Sequence, residues 1–407
     1  MSVGYQIWVR DTAGDRIGIL DAIPQYEYSI VANGVGNFTL HVPYNHGKRH
    51  LIQPGYRIEI ERNRGSGWPS TPVLGGTIRY IQPELKVVDG FLEYVWVAKG
   101  VSYEDFLVGR LALPDAMIAG HYGFPFLGLD ESLAYEEHYG ATETVMKDFV
   151  RRNLVEWDID DDDRSIPLFT VEPDGQRGRW LGYRDRFAPI LEVLQALAAA
   201  SGIDFYVSGV GNNYEFCVRE SPDRRLQVQD SEYDPVVFKA EWGRIASLEY
   251  THDGLEVSNF IYVGGKVPTD EETEQVSLVN QPVMVADGTV DRQTGKQISI
   301  YPRRESYVDA RGSEDPYDLL TRGAEALEDR RETTTWKFEI HDQPGLRWQE
   351  NWNVGDLVSL VYEGTMHDCK LNRVSVVVDG EGEHVTIDDV SIYRGLIDLQ
   401  PREAEDD

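Results

Sequence analysis

Only 2 of the 407 residues are cysteine. Cys217 and Cys369 lie far apart in the chain, which excludes a disulfide framework or a cysteine-based metal motif and fits synthesis in a reducing cytoplasm. Long apolar runs are missing too. Nowhere do about 18 apolar residues follow one another, and Met1 to Arg10 reaches a charge before any core of signal-peptide length. The chain is therefore expected neither to span a membrane nor to leave the cell by the general secretory route. Positive charge is scarce: 39 Lys and Arg stand against 70 Asp and Glu, a formal net charge of -31. That balance disfavours non-specific binding to DNA, RNA or anionic lipid. Its plainer reading is solubility or a salt-adapted host; the sharper one is a surface past which DNA slides without sticking.

Signatures of catalysis and of cofactor binding are also lacking. There is no HExxH, and Gly100-Val101-Ser102-Tyr103-Glu104 lacks the second glycine of a nucleophile elbow. Gly34-Val35-Gly36 and Gly209-Val210-Gly211 lack the third glycine of a dinucleotide fingerprint, and Thr294-Gly295-Lys296-Gln297 lacks the Ser or Thr of a P-loop. All four read as turns. The run Asp158, Asp160, Asp161, Asp162 and Asp163 has the hard oxygen ligands that calcium prefers. An EF-hand loop, however, wants Gly at Asp163 and Glu at Phe169, which leaves a solvated acidic loop as the plainer reading. His41, His46 and His50 could suggest zinc, but Pro43, Asn45 and Gly47 oppose a helix there, and a polar loop is expected. No catalytic, cofactor or metal residue is assigned. Paired carboxylates for glycoside hydrolysis carry no information among 70 acidic residues. The 9 Trp and 22 Tyr could stack on sugars, but aromatics of this kind more often serve β cores and protein interfaces.

What is present is β character. The chain is 41% hydrophobic, with 38 Gly and 19 Pro, a folded composition rich in turns. Its length allows two to four domains. Period-two alternation predicts strands at Gln6 to Arg10, Ile17 to Asp21, Asn37 to Val42, Arg57 to Arg62, Gly76 to Gln82 and Leu92 to Lys99, with a hairpin turn at Asp89-Gly90. After Arg110 the pattern changes. Helices are predicted over Thr142 to Asn153 and Pro189 to Ser201, the second capped by Gly202, with strands at Asp204 to Ser208 and Tyr214 to Arg219. From Trp242 strands return at Ser247 to Thr251, Asn259 to Val263 and Trp336 to Ile340. They are interrupted by a helix with Asp315 at its N-cap, Pro316 at its first position, and an apolar face of Leu319, Leu320, Gly323, Ala324 and Leu327. The fold class expected is mainly β with an α/β insertion. The domains are a first β-barrel over 1–110, the insertion over 111–240, a second β-barrel with one helix over 241–395, and an acidic tail over 396–407.

A weak internal duplication underlies the two barrels. Gly55-Tyr56-Arg57-Ile58-Glu59-Ile60 returns in kind as Gly355-Asp356-Leu357-Val358-Ser359-Leu360. In the first copy Ile78 and Tyr80 lead to Asp89-Gly90 and then Tyr94 to Val97. In the second, Leu371, Val374, Val376 and Val378 lead to Asp379-Gly380 and then Val385 to Ile387. Either this is a true repeat, or two β-meanders look alike. If it is true, three chains would present six similar modules around an axis and could match a sixfold partner.

At this point the sequence resembles the hub, or tail-associated, proteins at the tips of siphophage tails, which are similar to the central hub of contractile-tail baseplates. The resemblance covers most of the chain. It rests on the order of Gly55 to Glu61, Trp68, Gly76-Thr77-Ile78, Gly100 to Tyr103 running to Arg110, the Ala141 to Asn153 helix, Asn259 to Gly265, Arg304-Glu305 and Gly355 to Val358. It implies a homotrimeric, pseudo-sixfold ring at the virion tail tip, assembled in the host bacterial cytoplasm. The implied partners are the distal tail protein, the tape measure protein and receptor-binding or fibre proteins, with DNA passing through without specific binding. Many relatives continue into a peptidoglycan-cleaving or fibre domain, whereas this sequence stops at Asp407, so no lytic activity is carried over. A carbohydrate-active or sugar-binding tail component is the alternative.

Overall fold

The computed structural model describes residues 4–63, 68, 71–88, 91–113, 135–156, 158–159, 162–228, 231–239, 245–254, 257–265, 283–286, 303–310, 315–330, 333–340 and 345–393. The expected turn at Asp89-Gly90, Trp242 and the acidic tail lie outside them.

The N-terminal segment forms β1 (Gly4–Arg10), β2 (Arg16–Leu20), β3 (Gln25–Val31), β4 (Asn37–Pro43), β5 (Arg57–Asn63), β6 (Leu74–Val88) and β7 (Phe91–Ser102). The middle segment forms β8 (Glu136–Ala141), α1 (Thr142–Val150), β9 (Asp158–Ile159), β10 (Asp162–Asp163), β11 (Phe169–Val171), β12 (Trp180–Asp185), α2 (Ile190–Ser201), β13 (Ile203–Val210) and β14 (Asn213–Glu220). The remainder forms β15 (Val237–Lys239), β16 (Ile245–Asp253), β17 (Phe260–Gly264), β18 (Val283–Ala286), β19 (Glu305–Asp309), α3 (Pro316–Asp329), β20 (Thr333–Ile340), β21 (Leu357–Tyr362), β22 (Thr365–Val378) and β23 (Glu383–Ile392). The protein is mainly β, as the alternation predicts.

The two β-rich segments do not form two closed barrels. They share one sheet of 13 strands whose main path runs β16-β20-β23-β22-β3-β4-β7-β6-β5-β1-β2, with β21 and β15 branching from β22. The physical reason lies in β22, which is longer than its hairpin partner. Its first part pairs with β21, from Thr365 opposite Tyr362 to Lys370 opposite Leu357. From Arg373 to Val378 the same edge pairs with β3. A strand that outruns one neighbour satisfies its remaining backbone groups on another, and here that neighbour belongs to the other half of the chain.

Within that sheet the duplication is visible as topology. One half reads β3-β4-β7-β6-β5-β1 and the other β16-β20-β23-β22-β21-β15, the same order of corresponding strands. The last pair differs in direction, since β1 runs antiparallel to β5 and β15 parallel to β21. Gly55 and Gly355 have φ of +84° and +89°, in the left-handed region that glycine occupies without strain. The Gly55 N–H donates to the Ile78 carbonyl at 2.8 Å and the Gly355 N–H to the Leu371 carbonyl at 2.7 Å. The two positions differ in the space around them. A methyl at Gly355 would lie 2.5 Å from an Asp204 carboxylate oxygen, and one at Gly55 meets nothing nearer than Thr12 at 4.0 Å. We therefore expect Gly355→Ala to cost about 2–3 kcal/mol and Gly55→Ala about 1 kcal/mol, measured by urea unfolding; equal losses would contradict this account.

One core runs beneath both halves of the sheet, from Ile7, Tyr28, Phe38 and Ile58 to Phe238, Trp336, Trp352, Val374 and Ile387. A second core gathers α1, α2 and the β13–β14 hairpin. It also takes in Ile261, Val263, Val285 and the apolar face of α3, namely Leu319, Leu320, Ala324 and Leu327. The helix expected among the C-terminal strands thus packs on the insertion. Its start is as predicted: the Asp315 carboxylate accepts from the Asp318 N–H at 2.8 Å and Pro316 opens the first turn. α2 ends at Gly202 with φ +72°, the left-handed cap that the sequence signals.

Candidate functional site

The seam where β22 meets β3 joins the two halves, and a buried polar cluster sits beside it. Arg62 leaves β5 with its side chain 3% exposed and reaches Glu383, 9% exposed, at the start of β23. Its Nε and Nη2 donate to the two carboxylate oxygens at 2.9 and 2.8 Å, and its Nη1 donates to the Trp348 carbonyl at 2.9 Å. This is the bidentate fork that suits Arg to a desolvated carboxylate. The Tyr5 hydroxyl donates to the same carboxylate and lies 3.2 Å from the Tyr28 hydroxyl. Burial, then the neighbouring Tyr28 and Glu383, pushes the Tyr5 phenol up from its ordinary pKa, so it stays protonated and able to donate.

A second junction ties the insertion to the seam. Asp204 on β13, 1% exposed, accepts from Lys370 of β22 at 2.6 Å, from Asn33 at 2.8 Å and from Ser221 at 2.9 Å. Asn33 follows β3 with φ +55°, a conformation that Asn tolerates better than most residues. Its side-chain oxygen accepts from the Phe205 N–H at 2.8 Å. The three parts of the chain therefore meet around the β3–β22 seam.

A cavity of about 260 Å³ opens between the sheet and the insertion, lined among others by Gly36, Ser102, Tyr103, Glu104, Arg219 and Trp348. Ser102 accepts from the Gly36 N–H at 2.8 Å and donates to Glu104. Desolvation raises the Glu104 pKa, while hydrogen bonds from Ser102 and the Val207 N–H oppose the shift. No histidine is among the described residues lining the cavity, so Ser102 faces a carboxyl drawn toward its neutral form and not an imidazole base. The arrangement fastens the turn after β7 to β13.

The other residues singled out from the sequence fall in separate places. His46 donates from Nε2 to the Asp21 carbonyl at 2.6 Å and accepts at Nδ1 from the Lys48 N–H at 3.2 Å, so both ring nitrogens are engaged. His41 lies in β4 and His50 in a short 3-10 turn. In the acidic run Asp158 pairs with Asp163 across the β9–β10 ladder, whereas Asp160, Asp161 and the Thr294 to Gln297 segment lie outside the described residues. Among the described residues no group of three His, Cys, Asp or Glu is placed to hold a metal ion. Cys217 and Cys369 are free and buried, and burial pushes both thiols up, Cys217 to about 12. No described helix is long and apolar enough to cross a membrane.

The site-level feature that sequence reading missed is β3. Its signal was present, because Tyr26 and Tyr28 are buried and alternate with exposed Gln25 and Glu27.

Comparisons with known proteins agree with this architecture. A comparison with curated proteins finds none that matches. Among solved structures, a 43 kDa tail protein of prophage MuSo2 from Shewanella oneidensis has a TM-score of 0.55 at 12% identity, covering 96% of this chain and 98% of that one. A tail protein from Neisseria meningitidis MC58 has a TM-score of 0.55 at 12% identity, covering 97% and 98%. The prophage tail protein gp18 from Listeria monocytogenes EGD-e has a TM-score of 0.52 at 11% identity, covering 96% and 95%. At such identities the likeness speaks for the fold. The model of the family described as Siphovirus ReqiPepy6 Gp37-like protein matches residues 6–388, and the chain belongs to that family.

Proposed function

We propose that the chain is a structural hub of the tail tip of a long-tailed phage, three copies of which form a ring of six similar sheet modules around an axial opening. The observation that carries this reading is the repeated strand order within a single open sheet. A chain holding two like modules lets a threefold assembly meet a sixfold partner. The fold shared with prophage tail proteins along nearly the whole chain supports the same reading. In it, 1–110 and 241–395 supply the ring together with β15, the rest of 111–240 lies peripherally and braces a neighbouring component, and 396–407 is a tail. The partners are the tail tube and distal tail protein above, the tape measure protein within, and receptor-binding or fibre proteins at the side. DNA passes through in transit, and the net charge of -31 would keep phosphates from adhering to the wall. The reading places the protein in the virion after assembly in the host cytoplasm, and no step in it requires catalysis.

Native mass spectrometry or light scattering of the purified chain tests the proposal. Three chains per particle are expected, either alone or on addition of the distal tail protein. A particle that stays monomeric under both conditions would overturn it.

A further inference from the structure

Along β6 and β22 the two halves of the sheet correspond residue by residue, while β23 carries one residue more than β7, at Asp388. The matched bonds of Gly55 to Ile78 and of Gly355 to Leu371 set Ile78 equivalent to Leu371. A register irregularity follows each, between Ile78 and Tyr80 and between Leu371 and Arg373. Beyond it Gln82 corresponds to Ser375, Pro83 to Val376 and Leu85 to Val378. Following the ladder across β7 and β4 in one half, and across β23 and β20 in the other, places Tyr28 opposite Phe38 and Tyr250 opposite Trp336. Glu27-Tyr28-Ser29 of β3 is thereby the counterpart of Glu249-Tyr250-Thr251 of β16, a likeness that the sequence also carries.

Inside the chain β22 and β3 meet, with Ser375 opposite Ser29, Val376 opposite Tyr28 and Val378 opposite Tyr26. Their counterparts β6 and β16 do not meet. Among the described residues β5 pairs with β6 only from Leu74 to Thr77, beyond Tyr80 the strand neighbour of β6 is β7, and β16 ends the sheet. Two sheet ends that match a junction already built elsewhere in the molecule are a template for pairing between chains.

Resting on the ring reading above, we infer that β16 of one copy pairs antiparallel with the distal half of β6 of a second copy, with Gln82 opposite Thr251, Pro83 opposite Tyr250 and Leu85 opposite Leu248. The junction between chains then repeats the one within the chain. The faces agree. Pro83, Leu85, Leu248 and Tyr250 fall on the core side, where Leu85 and Tyr250 are 51% and 45% exposed in the single chain and would be covered. Gln82 and Thr251 fall on the polar side, as Ser375 and Ser29 do. At the hairpin end Tyr94 corresponds to Glu383, and Tyr362 to Arg62. The buried ion pair of one junction is replaced at the other by tyrosines: Tyr94 is 56% exposed, and Tyr362 stacks on Tyr250 at 5.1 Å and 17°. Glu84 falls opposite Glu249, a like-charge pair that weakens the contact, and Pro83 brings no N–H. The junction between chains is therefore the weaker of the two, and a proline on an edge strand also discourages indiscriminate pairing.

Cross-linking of the full chain tests this. Gln82→Cys combined with Thr251→Cys places two thiols on directly opposed residues, whose Cα separation of about 4.5–5.5 Å suits a disulfide; the native cysteines are buried. On oxidation the double variant is expected to run as linked chains, up to three, on a non-reducing gel. Gln82→Cys with His252→Cys sets the thiols on opposite faces and is expected to stay unlinked. A trimer by light scattering that does not cross-link at 82 and 251 would overturn this junction and leave the ring standing. Linking of 82 to 252 in its place would overturn the register. A chain that is monomeric with and without the distal tail protein would overturn the ring and the junction with it.

Discussion

Replacing Arg62 by alanine is expected to lower the unfolding free energy by about 3–5 kcal/mol, the loss typical of a buried ion pair deprived of one partner. Arg62 holds both oxygens of Glu383 and the Trp348 carbonyl from a position 3% exposed. Without it, Glu383 keeps the Tyr5 hydroxyl but no opposite charge in a site largely closed to water. An uncompensated carboxylate there either stays charged at high desolvation cost or takes up a proton. Removing both charges, as in Arg62→Met with Glu383→Leu, should recover much of the loss, because the desolvation term disappears with the pair. Urea unfolding of the single and double variants measures both, and a loss under about 1 kcal/mol for Arg62→Ala would mean that the pair does little at the seam. Because the pair links residues 321 apart in sequence, the single variant should also loosen one half of the sheet from the other.

Glu143→Ala carries the second large expected effect, again about 3–5 kcal/mol, within the insertion. Glu143 and Lys147 are both 0% exposed on α1. The Glu143 carboxylate accepts from Lys147, from Arg177 through Nε and Nη2 at 2.8 Å each, and from the Gly175 and Arg177 N–H groups at 3.0 and 2.7 Å. It also stands in the first turn of the helix, where negative charge is favoured. Desolvation opposes the charged form, but the bonds from Arg177, Lys147 and the two backbone groups outweigh it and hold the carboxyl well below its ordinary range. The sign follows from linkage. With the folded pKa below the unfolded value, the stabilisation is fully present above about pH 5 and is lost as pH falls through the folded pKa. The gap between wild type and Glu143→Ala should therefore be widest near neutral pH and narrow in acid. A gap that widens on acidification would reverse the assignment. Lys147→Met should cost less, since Glu143 keeps Arg177.

Much of the fold could be read in advance because its signals are local. Gly202 and the Asp315-Pro316 pair mark helix ends through backbone requirements confined to a single turn, and the alternation in β5 and β7 needs no partner to be seen. The likeness of Gly55 to Ile60 with Gly355 to Leu360 was legible because a left-handed glycine followed by an apolar strand is a short-range pattern. Closure into barrels was misread because it depends on which edge a long strand finds once its hairpin partner ends. Nothing in Val374, Val376 and Val378 says that their neighbours will be Ile30, Tyr28 and Tyr26. The packing of α3 on the insertion was equally hidden: Leu319, Leu320 and Leu327 state that the helix has a buried face, not which core receives it. Arg62 with Glu383 and Asp204 with Lys370 were out of reach for the same reason, being one charge pair each among many that the composition allows.

The strand β3 completes its pairing only with β22, which is made long after it. During translation the N-terminal half of the sheet emerges first and holds Tyr26 to Val31 at an unsatisfied margin until β22 leaves the ribosome. Such distant pairing slows folding and exposes a nascent chain to pairing with the wrong neighbour. In a cell crowded with growing copies of the same polypeptide, the schedule of synthesis therefore bears on yield as directly as the strength of any contact in the finished molecule.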